Sequence, residues 1–154
     1  MTTNKPFYLI AHNIRSLYNI GTFFRTADAL GIDKIFLTGY SGTPPQSGIA
    51  KVALGAENTV PWEQYKNISV LIDKLRGRCI QIVALELNKK SIDIFKFRPK
   101  FPLALLVGNE VRGISSSLLK QADKIIALPM RGKKESLNVG VAMAVAGYCI
   151  RYKK

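Results

Sequence analysis

Apolar residues along this chain come in two patterns, short continuous runs and helical stripes, and the two alternate. FYLIAHNI (Phe7 to Ile14) is a continuous run that breaks into a polar loop. In the NIGTFFRTADALG that follows, Ile20, Phe23, Phe24, Ala27 and Leu30 share one helical face. Asn19 is the candidate N-cap there, and Gly31 the C′ residue. DKIFLTGY is the next run, and SGTPPQSG (Ser41 to Gly48) reads as a loop. ISVLIDKLRG (Ile68 to Gly77) is a helix ending in glycine, and CIQIVALEL is a strand. SIDIFKF is a candidate short helix. FPLALLVGNE is a wholly apolar strand breaking into a polar loop, ISSSLLKQAD a helix with Ser115 near its cap, and KIIALPM a strand. RGKKE is a basic loop.

The closing segment, KESLNVGVAMAVAGYCIRYKK, departs from both patterns. Val139, Val141, Met143, Val145 and Ile150 point every way, with glycine and alanine between them. A helix apolar all round is buried all round, and this one is too short to span a bilayer. Ser136 and Asn138 stand at its start, each a candidate cap.

Strands that are continuous apolar runs, alternating with helices, predict a mostly parallel open sheet with helices on both faces. In such sheets ligands sit beyond the C-terminal ends of the strands. Those ends are AHNIRSLYNIG, LTGYSG, ALELN, VGNEVRG and LPMRGKKESLN. The candidate chemistry gathers there.

Charge narrows the partner. Lys and Arg number 23 against 10 acids, a net +13 on 154 residues. Such an excess favours a polyanion, nucleic acid first, over a merely solvated surface. The positives cluster at Lys89–Lys90, at Lys96, Arg98 and Lys100, at Arg131, Lys133 and Lys134, and in the tail. The length suits one domain over residues 1–154. No secretory signal is legible in MTTNKPFYLIAHNI. Cys79 and Cys149 sit in apolar runs and are expected as buried free thiols in a reducing cytoplasm. With one histidine and two separated cysteines, no metal site is expected.

Taken singly, the motifs are weak. There is no GxGxxG after the first strand and no GxxxxGK[ST], which argues against a standard dinucleotide domain or a phosphate-loop NTPase. His12 reads as a strand-end residue with a satisfied hydrogen bond. In VGNEVRG, Gly108 permits close approach of a ligand to the backbone, and Glu110 is either functional or a cap for the following helix. Arg25 lies away from the apolar stripe of its helix, so it is either solvated or turned toward a ligand or partner subunit.

Taken in order, the motifs are specific. Asn13 and Asn19 precede Gly21 and Arg25 in a segment ending RTADALG. LLVGNEVRGIS and IALPMRGKKESLNVGVAMAVAGY follow. Over about Phe7 to Tyr148 this resembles the SpoU family of RNA ribose 2′-O-methyltransferases, in the SPOUT superfamily. The resemblance implies an α/β fold with a C-terminal deep trefoil knot, S-adenosylmethionine as cofactor, and a homodimer with cofactor pockets beside the interface. It implies that Leu85, Gly108, Asn109, Leu128, Met130, Ser136 and Leu137 contact the cofactor, largely through backbone groups. Asn19, Arg25, Glu110, Ser136 and Asn138 would form the catalytic pocket. The substrate would be RNA, tRNA before rRNA, handled by a bare catalytic domain with no membrane or metal partner.

Methyl transfer from a sulfonium needs an aligned hydroxyl partly relieved of its proton. A guanidinium hardly loses its proton, so Arg25 is expected to stabilise the developing alkoxide and clamp a neighbouring phosphate. Two rival classes remain at this level. An RNA-binding module with a vestigial pocket conflicts with the intact polar set, and a small-molecule enzyme on an open sheet conflicts with the charge.

Overall fold

β1 (Phe7–His12) lies inside the sheet, and its alternate residues feed two separate cores. Phe7, Leu9 and Ala11 join one buried cluster, while Ile10 joins the other. The alternation inherent in a pleated strand repeats in β2 (Lys34–Thr38), β4 (Gln81–Leu85) and β6 (Leu103–Val107). Val83 and Leu105 face the first core, and Ile82 and Leu106 the second. Both faces need apolar side chains, so these strands read as unbroken apolar runs. With β3 (Trp62–Tyr65), β5 (Ile92–Asp93) and β7 (Lys124–Ala127) they form one sheet in the order β3-β2-β1-β6-β4-β7-β5. Every pairing is parallel. The structure, a computed structural model, describes residues 4–154. The first three positions of the MTTNKPFYLIAHNI stretch lie outside the described residues.

Helices cover both faces, as the apolar runs require. α1 (Leu17–Leu30), α2 (Ser47–Ala53) and α5 (Val139–Arg151) pack on the first core through Ile20, Phe23, Phe24, Ile49, Met143 and Ile150. α3 (Ile68–Gly77) and the short α4 (Ser116–Leu119) pack on the second through Leu71, Ile72, Leu75 and Leu118. Ser115 caps α4, its hydroxyl accepting from the Leu118 N–H at 3.3 Å. Gly31 ends α1 in the left-handed region, φ 63°.

Several local expectations are corrected. Asn19 is not the cap of α1: Ser16 is, and its hydroxyl accepts from the Asn19 N–H at 3.2 Å. That shift buries the Asn19 side chain and frees it for another task. Ser47 and Gly48, expected in a loop, open α2. SIDIFKF is not a helix. Its first residues pair with β7 as β5, and Asp93 then closes a turn, its carboxylate accepting from the Phe95 N–H and its carbonyl from those of Lys96 and Phe97. The cysteines are not buried: Cys79 is exposed in the turn after α3, at φ 59°, and Cys149 is partly exposed.

The last helix is also not buried all round in one chain. Gly140, Met143, Ala146, Gly147 and Ile150 are buried, but Val141, Val145 and Tyr148 face out. Its glycines serve α1: a Cβ at Gly140 would lie 3.0 Å from Thr22 Cγ2, and one at Gly147 2.6 Å from Leu30 Cδ1. Arg151 locks the helix end. Its guanidinium donates to the carbonyls of Lys5, Leu30 and Gly31 and sits 5.2 Å from the Phe7 ring centre.

Close helix packing makes one glycine indispensable and leaves another dispensable. A Cβ at Gly21 would lie 2.7 Å from Ile49 O and 2.8 Å from Val52 Cβ, where α1 meets α2. A Cβ at Gly77 in α3 meets nothing within 4 Å. Gly21→Ala should therefore destabilise by about 1–3 kcal/mol through overpacking. Gly77→Ala should stabilise by about 0.5–1 kcal/mol through helix propensity. Urea unfolding of both variants checks the opposite signs.

Candidate active site

Three parallel strands stop at the same level, and the loops leaving them bound one cleft. β4 runs into ALELN, β6 into VGNEVRG and β7 into LPMRGKKESLN. The cleft measures about 840 Å³. Leu85 and Leu87 line one side, Gly108, Asn109 and Glu110 a second, and Leu128, Met130, Ser136, Leu137 and Asn138 a third. Ala142 on the first turn of α5 closes it. The strand-end rule thus places nearly every expected site residue in one space.

A line of hydrogen bonds runs along the cleft's edge. Glu110 accepts from the backbone N–H groups of Arg15 (3.1 and 3.0 Å) and Ser16 (3.0 Å), at the start of α1. Its Oε1 also accepts from Asn19 Nδ2 at 3.1 Å. Asn19 Oδ1 accepts from Asn138 Nδ2 at 3.3 Å. Asn138 Oδ1 in turn accepts from the Gly140 and Val141 N–H groups, at 2.8 and 3.2 Å, as the N-cap of α5. Each amide is oriented by its neighbours: Asn138 must offer its Nδ2 because its Oδ1 is held by the helix, and Asn19 must then present oxygen to Asn138 and nitrogen to Glu110. Asn19 is only 3% exposed, so this polarity is fixed inside the protein.

The carboxylate of Glu110 binds the entry to the helix before it in the chain, beside the Ser16 cap, and not the helix after it. Burial works to raise its pKa, but the Ser16, Arg15 and Asn19 donors together hold it below the ordinary glutamate value. The start of α1 contributes favourable helix-end charge. Glu110 is thus a firmly ionised anchor.

Asn109 is anchored still more completely. Its Nδ2 donates to Asn13 O (2.9 Å) and the Tyr40 hydroxyl (3.0 Å), and its Oδ1 accepts from the Val111 and Arg112 N–H groups. Its side chain has no capacity left for a ligand. Gly108 has a reason of its own to lack a side chain. A Cβ there would lie 2.6 Å from Ile114 Cγ1 and 2.7 Å from Gly113 O, so the loop folds back on it. His12, at the end of β1, pairs its Nδ1 with the Thr38 hydroxyl at 2.9 Å, and burial lowers its pKa.

Arg25 stands apart. It is exposed on α1 and does not line the cleft of its own chain. Asn19 joins the cleft only through Glu110 and Asn138. One residue was missed by the sequence reading. Glu86, in the ALELN loop, lines the cleft and accepts from the Ile114 N–H at 2.9 Å through Oε2. Its place one residue past a strand end, in a loop already marked as cofactor-facing, was the available signal. Glu86, Glu110 and Glu135 line the cleft against the single guanidinium of Arg112, so this part of a +13 chain is locally acidic. Among the described residues, no three His, Cys, Asp or Glu side chains gather as metal ligands.

Known proteins resemble this chain in sequence and fold. A tRNA (guanosine(18)-2′-O)-methyltransferase of Aquifex aeolicus is 32% identical over 145 residues, covering 94% of this chain and 68% of that one. A 23S rRNA (guanosine-2′-O-)-methyltransferase of Shewanella oneidensis is 30% identical, covering 93% of this chain and 58% of that one. The crystal structure of the SpoU methyltransferase AviRb from Streptomyces viridochromogenes, in complex with AdoMet, superposes with a TM-score of 0.87 at 25% identity. That superposition covers 96% of this chain and 60% of AviRb. Against the two curated relatives the chain spans 58% and 68% of their length. The profile of the SpoU rRNA Methylase family matches residues 6–148, and with the cleft, the ordered motifs and the parallel sheet in agreement, the chain belongs to that family.

Proposed function

We propose that this protein transfers a methyl group from S-adenosylmethionine to a ribose 2′-hydroxyl of RNA, with tRNA as the favoured substrate and rRNA the alternative. The observation that carries the reading is the Glu110–Asn19–Asn138 line at the edge of a cleft beyond three parallel strand ends. Support comes from family membership and from relatives described as tRNA and rRNA 2′-O-methyltransferases. The reading extends to a single domain over residues 1–154, to the trefoil knot and to the cytoplasm. The two latest strands lie inside the sheet, β6 between β1 and β4 and β7 between β4 and β5, which favours a threaded chain. Exposed Cys79 suits a reducing compartment. Among the described residues no helix is long and apolar enough to cross a membrane.

The residues present fit S-adenosylmethionine. Leu85, Leu87, Leu128 and Leu137 offer apolar walls to an adenine ring, and the Glu86 and Glu110 carboxylates suit a cation. The cleft's size is within the ordinary range for a cofactor pocket. The cofactor supplies an electrophilic methyl with a neutral leaving group. The chain must then align a hydroxyl and ease its proton. Ser136 is exposed at the cleft and hydrogen-bonds to no described residue, so its hydroxyl is free to orient an incoming ribose. Asn138 is positioned by the cap it makes. Glu110 serves as anchor, since its oxygens are taken by α1. The proton goes to a substrate phosphate or water, with Arg25 stabilising the alkoxide.

Arg25 needs help to do this, because its own cleft does not include it. A second copy packed against the exposed Val141 and Val145 of α5 would cover apolar surface and bring α1 beside a neighbouring cleft. We therefore include a homodimer in the reading.

Incubation with labelled S-adenosylmethionine and total RNA, followed by nucleoside analysis, tests the proposal. The label should appear on ribose in tRNA. Label on a base, or no transfer at all, would defeat it.

Two variants separate chemistry from scaffold. Arg25→Ala should leave unfolding unchanged and lower the methylation rate roughly a hundred- to a thousandfold, the loss typical of a transition-state donor. Lysine at the position should rescue only in part, lacking the planar fork. Cofactor affinity by calorimetry should barely move.

Glu110→Gln should cost about 1 kcal/mol at neutral pH, as a lost helix cap does. The folded pKa of Glu110 is lowered, so its contribution is complete above the unfolded value of about 4.3. It fades as pH falls through the lower folded value. Urea unfolding across the acid range should therefore show wild type and Glu110→Gln converging. A gap that persists at the lowest pH would contradict the anchor role.

A further inference from the structure

Glu86 is the first residue past β4, and both of its ends are tied. Its N–H donates to the Ile126 carbonyl on β7 at 2.9 Å. Its Oε2 accepts from the Ile114 N–H at 2.9 Å, just past the far end of VGNEVRG. Gly113 makes room for that contact: it sits at φ 65°, and a Cβ there would collide with Oε2. The carboxylate is therefore held in place before any ligand arrives. Among the described residues its Oε1 meets no hydrogen-bond donor, and no Lys or Arg forms an ion pair with it.

A brace for the loop does not need a carboxylate. Asn109 braces the same loop with an amide, and every polar atom of that amide is spent. A carboxylate that spends only Oε2 keeps an acceptor for something else. Glu86 is partly buried and lines the cleft, and so do its chain neighbours Leu85 and Leu87. S-adenosylmethionine offers two kinds of donor to such an oxygen, the ribose diol and the methionine ammonium. Charge alone suits the ammonium, but position favours the diol. Glu110, Ser136 and Asn138 mark the reacting end of the cleft, and Glu86 meets VGNEVRG at its other end. Adenine takes apolar walls such as Leu85 and Leu87. The ribose is bonded directly to the adenine, whereas the ammonium lies beyond the sulfur. In dinucleotide folds, too, an acidic residue of the parallel sheet accepts from a ribose hydroxyl.

We propose that Glu86 accepts from the ribose 2′- and 3′-hydroxyls of the cofactor, and so selects a ribonucleoside. The inference rests on the methyltransferase reading and names the residue that reads the nucleoside half of its cofactor. Glu86 touches no reacting atom and acts on cofactor affinity. A site built to bind a hydroxyl disfavours the analogue that lacks it, because its acceptor is left unpaired.

Calorimetry on wild type, Glu86→Ala and Glu86→Gln tests this with three ligands. They are S-adenosylhomocysteine, its 2′,3′-dideoxy form, and 5′-methylthioadenosine, which keeps the ribose and lacks the amino acid. Wild type should bind S-adenosylhomocysteine more tightly than the dideoxy form by about tenfold to a hundredfold, the order of a charge-assisted hydrogen bond. Glu86→Ala should erase that preference and weaken S-adenosylhomocysteine and 5′-methylthioadenosine alike. Glu86→Gln keeps an acceptor for the Ile114 N–H, and its preference should fall to a few-fold; it decides the matter if Glu86→Ala does not fold. Variants that weaken the dideoxy form as much as S-adenosylhomocysteine would overturn the assignment, leaving Glu86 a brace for the loop. Variants that weaken S-adenosylhomocysteine and spare 5′-methylthioadenosine would overturn it in favour of the ammonium. A wild-type protein that binds none of the three would instead defeat the methyltransferase reading, and the assignment with it.

Discussion

One buried amide, Asn19, joins the starts of two helices. Through Nδ2 it holds the carboxylate that accepts the Arg15 and Ser16 N–H groups at the entry to α1, and through Oδ1 it holds the side chain that caps α5. Helix starts carry N–H groups with no partner inside the helix. Here Glu110 takes the Ser16 N–H at the start of α1, Asn138 takes the Gly140 and Val141 N–H groups of α5, and both side chains meet Asn19. The line runs from Glu110 through Asn19 to Asn138, joining residues far apart in sequence. A buried amide holds its geometry only when its polar atoms are satisfied; Asn19 is the buried member of the line, and no buried side-chain nitrogen or oxygen among the described residues lacks a partner.

That constraint sets the shape of the cleft. VGNEVRG is bound to the β1–α1 connection twice, by Asn109 at Asn13 and by Glu110 at the start of α1, and to the loop after β2 by Asn109 at the Tyr40 hydroxyl. Glu86 supports the far end of the same loop at Ile114. The loop's own fold-back fills the space a Gly108 side chain would need. A cofactor would therefore meet a wall whose backbone is already in place, with little ordering left to do on binding. Ser136 and Arg25 take no part in this scaffold.

Much of the fold was legible because the physics is local. Apolar runs in FYLIAHNI and FPLALLVGNE mark strands buried on both faces, and ISVLIDKLRG is a helix over the residues expected. SIDIFKF misled because Ile94 and Phe97, three residues apart, suit a helical face, while the ladder with β7 and the Asp93 turn, both nonlocal or side-chain driven, decide the outcome. Asn19 misled for a related reason. Its residue type suits a cap, but Ser16 takes that place once a carboxylate distant in sequence accepts the preceding N–H groups. The site residues were legible as a set through their order, and their division of labour was not. No spacing rule says that Asn109 spends its whole side chain on scaffold, or that Arg25 lies outside its own cleft. In α5 the apolar composition promised burial, and one chain buries only the side turned to α1 and the sheet.

A double-mutant cycle on Asn19 and Glu110 tests the central claim most directly. Asn19→Ala, Glu110→Ala and the double variant are compared with wild type by urea unfolding. If the two side chains act as one tie between helices, the single losses should exceed additivity with the double by about 1 kcal/mol or more, as groups within one network do. Strict additivity, within about 0.3 kcal/mol, would mean that Glu110 holds the entry to α1 without Asn19 and that the line across the motifs carries no strength.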